Sequence, residues 1–253
     1  MPSKQVTDRK KSALAVASAG RTHTGDVSAS LRGLLSPYLK KGEDLPDIAL
    51  LVELTARALD SAEATMSAAD EANLRELSDD DAPRRARDEA AAALSDELVA
   101  LREWLTGLYG PGALKSLGFS SATPEDPVVL ERFAGEVISG IQAKPLPKPR
   151  YKGVKWDPTE TIAKIETLRT DLQSHLADVA REVREAEATL RAKVDAIVAY
   201  DERFSGVATF LVGLFRLAGE TALAERVRPS SRRPGQTEAD ASGGEGSDKP
   251  KDG

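Results

Sequence analysis

Imidazole and thiol chemistry have little material in this chain. It carries two histidines, His23 and His175, and no cysteine. Without cysteine there is no disulfide, no thiolate metal site and no cysteine nucleophile. His175 follows Leu168 and Leu172 and precedes Leu176, at the edge of an apolar helical stripe. That placement reads as a partly packed ring rather than a ligand. Zinc helices of one common type need His-Glu-x-x-His, and di-iron bundles need Glu-x-x-His on two helices. Neither spacing occurs. A Gly-x-Ser-x-Gly elbow and a phosphate loop ending in Gly-Lys-Ser/Thr are also missing. Carboxylates are plentiful, but a pair such as Glu182 and Glu185 is what a solvated helix surface carries. The expectation is therefore no catalytic residue, no cofactor and no metal ligand.

The cations are more informative. Residues 142–157 hold Lys144, Lys148, Arg150, Lys152 and Lys155, with Tyr151 and Trp156 among them. Basic residues interleaved with aromatics can follow a phosphate backbone and stack on bases. The competing reading is a strap whose Trp156 and Leu146 dock on helices while its lysines face water. A second basic group is Arg226, Arg228, Arg232 and Arg233, past the last apolar periodicity. Its first two members complement the dipole of a helix C-terminus. These nine cations and Trp156 are the candidate polyanion contacts. The chain's net charge of −6 opposes general binding to nucleic acid, so the packed strap is the preferred reading.

Long helices must position these groups. From Pro158 to Leu217 apolar residues recur in steps of three and four: Ile162, Ile165, Leu168, Leu172, Leu176, Val179, Val183, Ala186, Leu190, Val194 and Ile197. The stripe continues through Tyr200, Phe204, Val207, Leu211 and Leu214. Unbroken, such a helix is a rod of about 90 Å along which the other elements must lie. A break between Asp201 and Gly206 is left open by the sequence. The prolines of Lys144-Pro145-Leu146-Pro147-Lys148-Pro149-Arg150 impose an extended strap ahead of it.

Residues 1–25 are polar and basic and read as a disordered arm. Asp26 then opens a short helix carrying Val27, Leu31, Leu34 and Leu35, interrupted at Pro37. Pro46 starts a long helix whose expected core stripe is Leu51, Leu54, Ala58, Ala62, Met66, Ala69, Asn73 and Leu77. After Pro83 a heptad seam follows at Ala91, Leu94, Leu98, Leu101, Leu105 and Leu108. Gly110-Pro111-Gly112 ends it, and Pro127 starts a shorter helix to Ile141. From Pro229 to Gly253 small and polar residues dominate and read as a disordered tail.

Two helix ends echo each other. Trp104-Leu105-Thr106-Gly107-Leu108-Tyr109 aligns with Phe210-Leu211-Val212-Gly213-Leu214-Phe215, and Leu94, Leu98 and Leu101 fall on Tyr200, Phe204 and Val207. Glycine is unfavourable in a helix interior, so the shared Gly107 and Gly213 suggest backbones in close approach.

The expected architecture is all-α: an elongated, mostly antiparallel bundle with coiled-coil seams, built from two similar halves. Those halves are 26–141 and 158–228, joined by the 142–157 strap. No run of about 18 apolar residues exists to span a membrane, and the absence of cysteine suits a reducing, cytoplasmic setting. The expected function is a non-enzymatic helical scaffold or adaptor that binds protein partners or itself. The alternatives are a nucleic-acid or other polyanion-binding module using the basic segments, and an enzyme without a visible constellation.

Overall fold

The computed structural model describes residues 3–79, 81–142, 145–151 and 153–243. Among them the chain is all-α, about 80% helical and without strands. Its helices are α1 (Lys4–Leu35), α2 (Ile48–Asp79), α3 (Asp81–Tyr109), α4 (Pro127–Gln142), α5 (Thr159–Leu217), α6 (Thr221–Arg226) and α7 (Glu238–Gly243). Short 3-10 turns occupy Ser36–Tyr38 and Pro111–Leu117. The long helix α5 runs 59 residues and passes through Asp201–Gly206 without a break.

Two compact units divide the chain differently from the expected halves. One comprises Met1–Arg75 with Ala188–Gly253, and the other is Glu76–Glu187. The division cuts α5 in sequence, because its early stripe matches α3 and α4 while its late stripe matches α1 and α2. Helix periodicity gives a face but not the identity of its partner.

In the discontinuous unit three helices close one core. Val6, Ala13, Val16, Val27 and Leu31 come from α1, and Val52, Leu59 and Met66 from α2. From α5 come Ile197, Tyr200, Phe204, Leu211 and Phe215. The N-terminal stretch expected to be a disordered arm is thus a core helix from Lys4 onward. Ser3 caps it by accepting from the Val6 N–H. Its seam is hard to see because Arg9, Ser12 and Gly20 hold buried positions between small apolar residues. Asp26 opens no helix but lies inside α1.

The expected face of α2 also needs correction. Val52, Ala56, Leu59, Met66, Asp70 and Asn73 are the buried positions, in steps of three, four and seven. Leu51, Leu54 and Leu77 are exposed instead. The buried seam lies beside the more hydrophobic stripe because α2 turns Asp70 inward to meet Lys193 at 2.7 Å and the Ser3 N–H at 2.8 Å.

The supposed tail is ordered through Gly243. Thr237 caps α7: its hydroxyl accepts from the Asp240 N–H (3.2 Å) and donates to the Asp240 carboxylate (2.7 Å). Ser12 of α1 donates to the same carboxylate at 2.6 Å and accepts from the Thr237 N–H at 3.2 Å. Gly235 turns at φ +72° and passes so close to Asp201 that a Cβ would lie 2.0 Å from its Oδ1. Polar anchoring, not apolar periodicity, orders this segment. Residues 244–253 of the expected tail lie outside the described residues.

The continuous unit packs α3, α4, the Pro111–Leu117 turn and the early part of α5. Leu94, Leu98, Leu105, Leu130, Phe133, Val137, Ile165 and Leu172 are its core. Gly140 lets α4 meet the loop after the turn, since a Cβ there would lie 2.6 Å from the Gly118 nitrogen.

The internal echo is matched in burial. Leu94, Leu98, Leu101 and Leu105 are buried in one unit and Tyr200, Phe204, Val207 and Leu211 in the other. The expected close approach at the paired glycines is not found: nothing lies within 4 Å of a Cβ placed on Gly107 or Gly213.

Candidate interaction site

The strap residues assemble at the end of α3. Asp157 accepts from the Thr159 N–H at 3.0 Å and hydroxyl at 2.6 Å, which starts α5 and holds the Asp157 carboxyl below the ordinary range. This cap places Trp156 edge-on against Trp104, ring centroids 4.9 Å apart, with Tyr109 at 6.5 Å. Burial in the same cluster pushes the Tyr109 hydroxyl pKa up. Leu146 and Trp156 both pack on the core of the continuous unit. The Arg150 N–H donates to the Leu108 carbonyl at 2.9 Å, and its guanidinium lies beside Gly110, whose φ of +88° opens the turn.

The candidate cations divide accordingly. Lys148, Arg150 and Lys155 are exposed, while Lys144 and Lys152 lie outside the described residues. Arg226, Arg228, Arg232 and Arg233 belong to the other unit. Arg228 is paired with Glu225 at 3.2 Å, and Glu225 also holds Arg216 at 2.8 Å. Those contacts lower the Glu225 pKa, the Arg216 bond first. Arg226 and Arg232 are exposed and Arg233 is half-buried. The strap is an aromatic-docked segment with outward lysines, and the arginines form a partly neutralised helix end.

Glu182, read as an ordinary surface carboxylate, is half-buried. Carboxylate oxygens of Glu76, Glu182 and Glu185 lie within 4.8 Å of one another. Arg181 approaches two of them, at 3.8 and 3.9 Å. His175 is half-buried, with Asp171 at 3.6 Å and Asp178 at 3.8 Å.

The long helix shows what the sequence reading missed. Its stripe is buried at Ile162, Ile165 and Leu172, and again from Ile197 to Leu211. Between them Val183 is exposed in the continuous unit. In the discontinuous unit Leu190, Val194 and Val198 are 52%, 50% and 53% exposed. Spaced four residues apart, these three form an apolar ridge on one face of α5. Val183, Leu190 and Val194, expected to be core, are therefore open to solvent. No family model, curated protein or solved structure matches this chain. Among the described residues no helix is long and apolar enough to cross a membrane.

Proposed function

We propose that this protein is a non-enzymatic helical scaffold that seats an amphipathic helix of a partner protein. The observation behind the reading is the ridge of Leu190, Val194 and Val198 on α5. The three stand at i, i+4 and i+8 along one row of α5, and an amphipathic helix lays its apolar face on such a surface. Single exposed aliphatics are ordinary, but three in register on one helix face form a patch. The strap is a structural element in this reading, with its aromatic side spent on Trp104 and Tyr109.

The test places a photo-crosslinking residue at Val194 in the full chain, in its native cell. Crosslinks to a protein, lost in the Leu190→Glu/Val198→Glu variant and kept when Lys148, Arg150 and Lys155 become glutamine, support the scaffold. No protein crosslink, together with heparin retention that the three glutamines abolish, overturns it in favour of polyanion binding.

A further inference from the structure

A second open surface lies farther along α5, beyond Val198. Within the discontinuous unit, α2 and α5 run antiparallel, in a register set by Lys193 with Asp70 (2.7 Å) and Asn73 with Thr189 (3.2 Å). Helix α1 engages α2 through Arg21, which meets Glu53 at 3.0 Å and Asp60 at 2.6 Å. Thr55 lies on another face of α2, with Leu51 one turn before it and Ala58 and Ala62 after it. Leu51, Ala58 and Ala62 belong to the stripe that the sequence marked as core, of which Met66 and Asn73 are buried. Between Thr55 and α5 lies a groove of about 500 Å³, lined by Thr55, Ala199, Glu202, Arg203, Gly206 and Phe210.

The α5 wall of this groove is a complete second heptad seam: Ala199, Arg203, Gly206, Phe210, Gly213 and Leu217, in steps of four and three. Every seventh residue is small, from Ala192 through Ala199 and Gly206 to Gly213. An interior glycine weakens a helix relative to alanine. No neighbour in this chain calls for either one, because nothing lies within 4 Å of a Cβ at Gly206 or Gly213. Leu217 is 63% exposed at the end of the seam. Among the described residues neither Glu202 nor Arg203 has an ion-pair partner.

We infer that this groove is where a second copy of the chain docks, with the two α5 helices antiparallel about a two-fold axis between Glu202 and Arg203. The charges choose this occupant. An axis there sets each Glu202 against Arg203 of the second copy, so two ion pairs form from residues that have none in one copy. The same axis sets Ala199 against Gly206 of the second copy, and Ala192 against its Gly213. Small residue then meets small residue at each crossing, and the backbones come close. A two-fold interface must be self-complementary, and these three pairings are.

The inference deepens the scaffold reading by naming one partner, at a stretch of α5 beyond the ridge. Its test is the mass of the full chain in solution, by light scattering and sedimentation over a broad concentration range. The wild type is expected to dimerise. Glu202→Arg or Arg203→Glu alone places like charges together and should weaken the dimer roughly a hundredfold. Mixing the two single variants should restore association as a heterodimer, since every contact is then between opposite charges. The double swap Glu202→Arg/Arg203→Glu should dimerise by itself. Gly206→Leu should fold, given the empty space beside it, and remain monomeric. A monomeric wild type, or single variants and Gly206→Leu that all dimerise as well as wild type, overturns the inference. Crosslinking at Val194 to another protein without dimerisation would sink the dimer and leave the scaffold standing. Dimerisation with an inert ridge would do the reverse.

Discussion

Replacing Arg9 with methionine tests whether the N-terminal helix belongs to the core. Arg9 is 6% exposed, and its Nε and second terminal nitrogen each donate to Asp201 at 2.8 Å. Its carbonyl accepts from the Tyr200 hydroxyl at 2.7 Å, a bond that the substitution leaves in place. Methionine keeps most of the side-chain volume and removes the charge, so the loss falls on an abandoned Asp201. Breaking a buried pair from one side typically costs about 3–5 kcal/mol. The Asp201 side chain keeps 19% exposure, which lets water reach the orphaned carboxylate and argues for the lower end, about 3 kcal/mol. That raises the population of opened α1 by roughly two orders of magnitude. Native-state hydrogen exchange of the α1 amides reads this directly, without requiring the two units to unfold together. Arg9→Met combined with Asp201→Leu should recover most of the loss, because an apolar pair leaves no buried charge. A change within about 0.5 kcal/mol in the single variant, as at an ordinary surface position, would refute the buried-pair argument.

Other outcomes follow from the same geometry. Deleting residues 1–25 should unfold the discontinuous unit, seen as a loss of helical circular dichroism well beyond the deleted residues. Leu105→Ala and Leu211→Ala should each cost about 2–5 kcal/mol by urea denaturation, while Leu190→Ala on the exposed ridge stays within about 0.5 kcal/mol. Trp156→Ala should lower the melting temperature of the continuous unit, whereas glutamine at Lys148, Arg150 and Lys155 should leave it unchanged. At Asp70 burial pushes the pKa up, but Lys193 and Ser3 outweigh it and the net shift is downward. A depressed carboxylate stabilises above its unfolded value, and that share is lost as pH falls below about 4 toward the folded value. Asp70→Asn should be less stable at neutral pH and lose less on acidification, measured by urea midpoints across pH.

Much of the fold was legible because it rests on apolar periodicity. The seam from Ala91 to Leu108 is buried throughout. The helix expected from Pro158 to Leu217 is observed from Thr159 to Leu217. What was not legible rests on polar residues in seam positions. Arg9, Ser12 and Asp70 read as surface, yet each is buried because a partner far away in sequence satisfies it. The stripe of α5 was legible as apolar, but nothing local distinguishes Leu172, fully buried, from Leu190, which is 52% exposed. The strap's docking through Trp156 and Leu146 was readable from the proline spacing and the two apolar residues. The groove beside Gly206 was not legible, since the glycine pair read as a close approach, Gly107 and Gly213, meets nothing within 4 Å.

The bond between Ser12 and Asp240 joins residues 228 positions apart and sets an order of events during synthesis. The stretch from Glu76 to Glu187 has all its core partners once residue 187 has emerged from the ribosome. Helices α1 and α2 are made first but must wait for Tyr200, Asp201 and the α7 cap. At bacterial to eukaryotic elongation speeds of about 5–20 residues per second, the wait from Arg75 to Asp240 is roughly 10–30 s. For that interval Val16, Val52, Leu59 and Met66 have no late-helix partner. Residues made later, from Tyr200 to Asp240, complete the packing of α1 and α2.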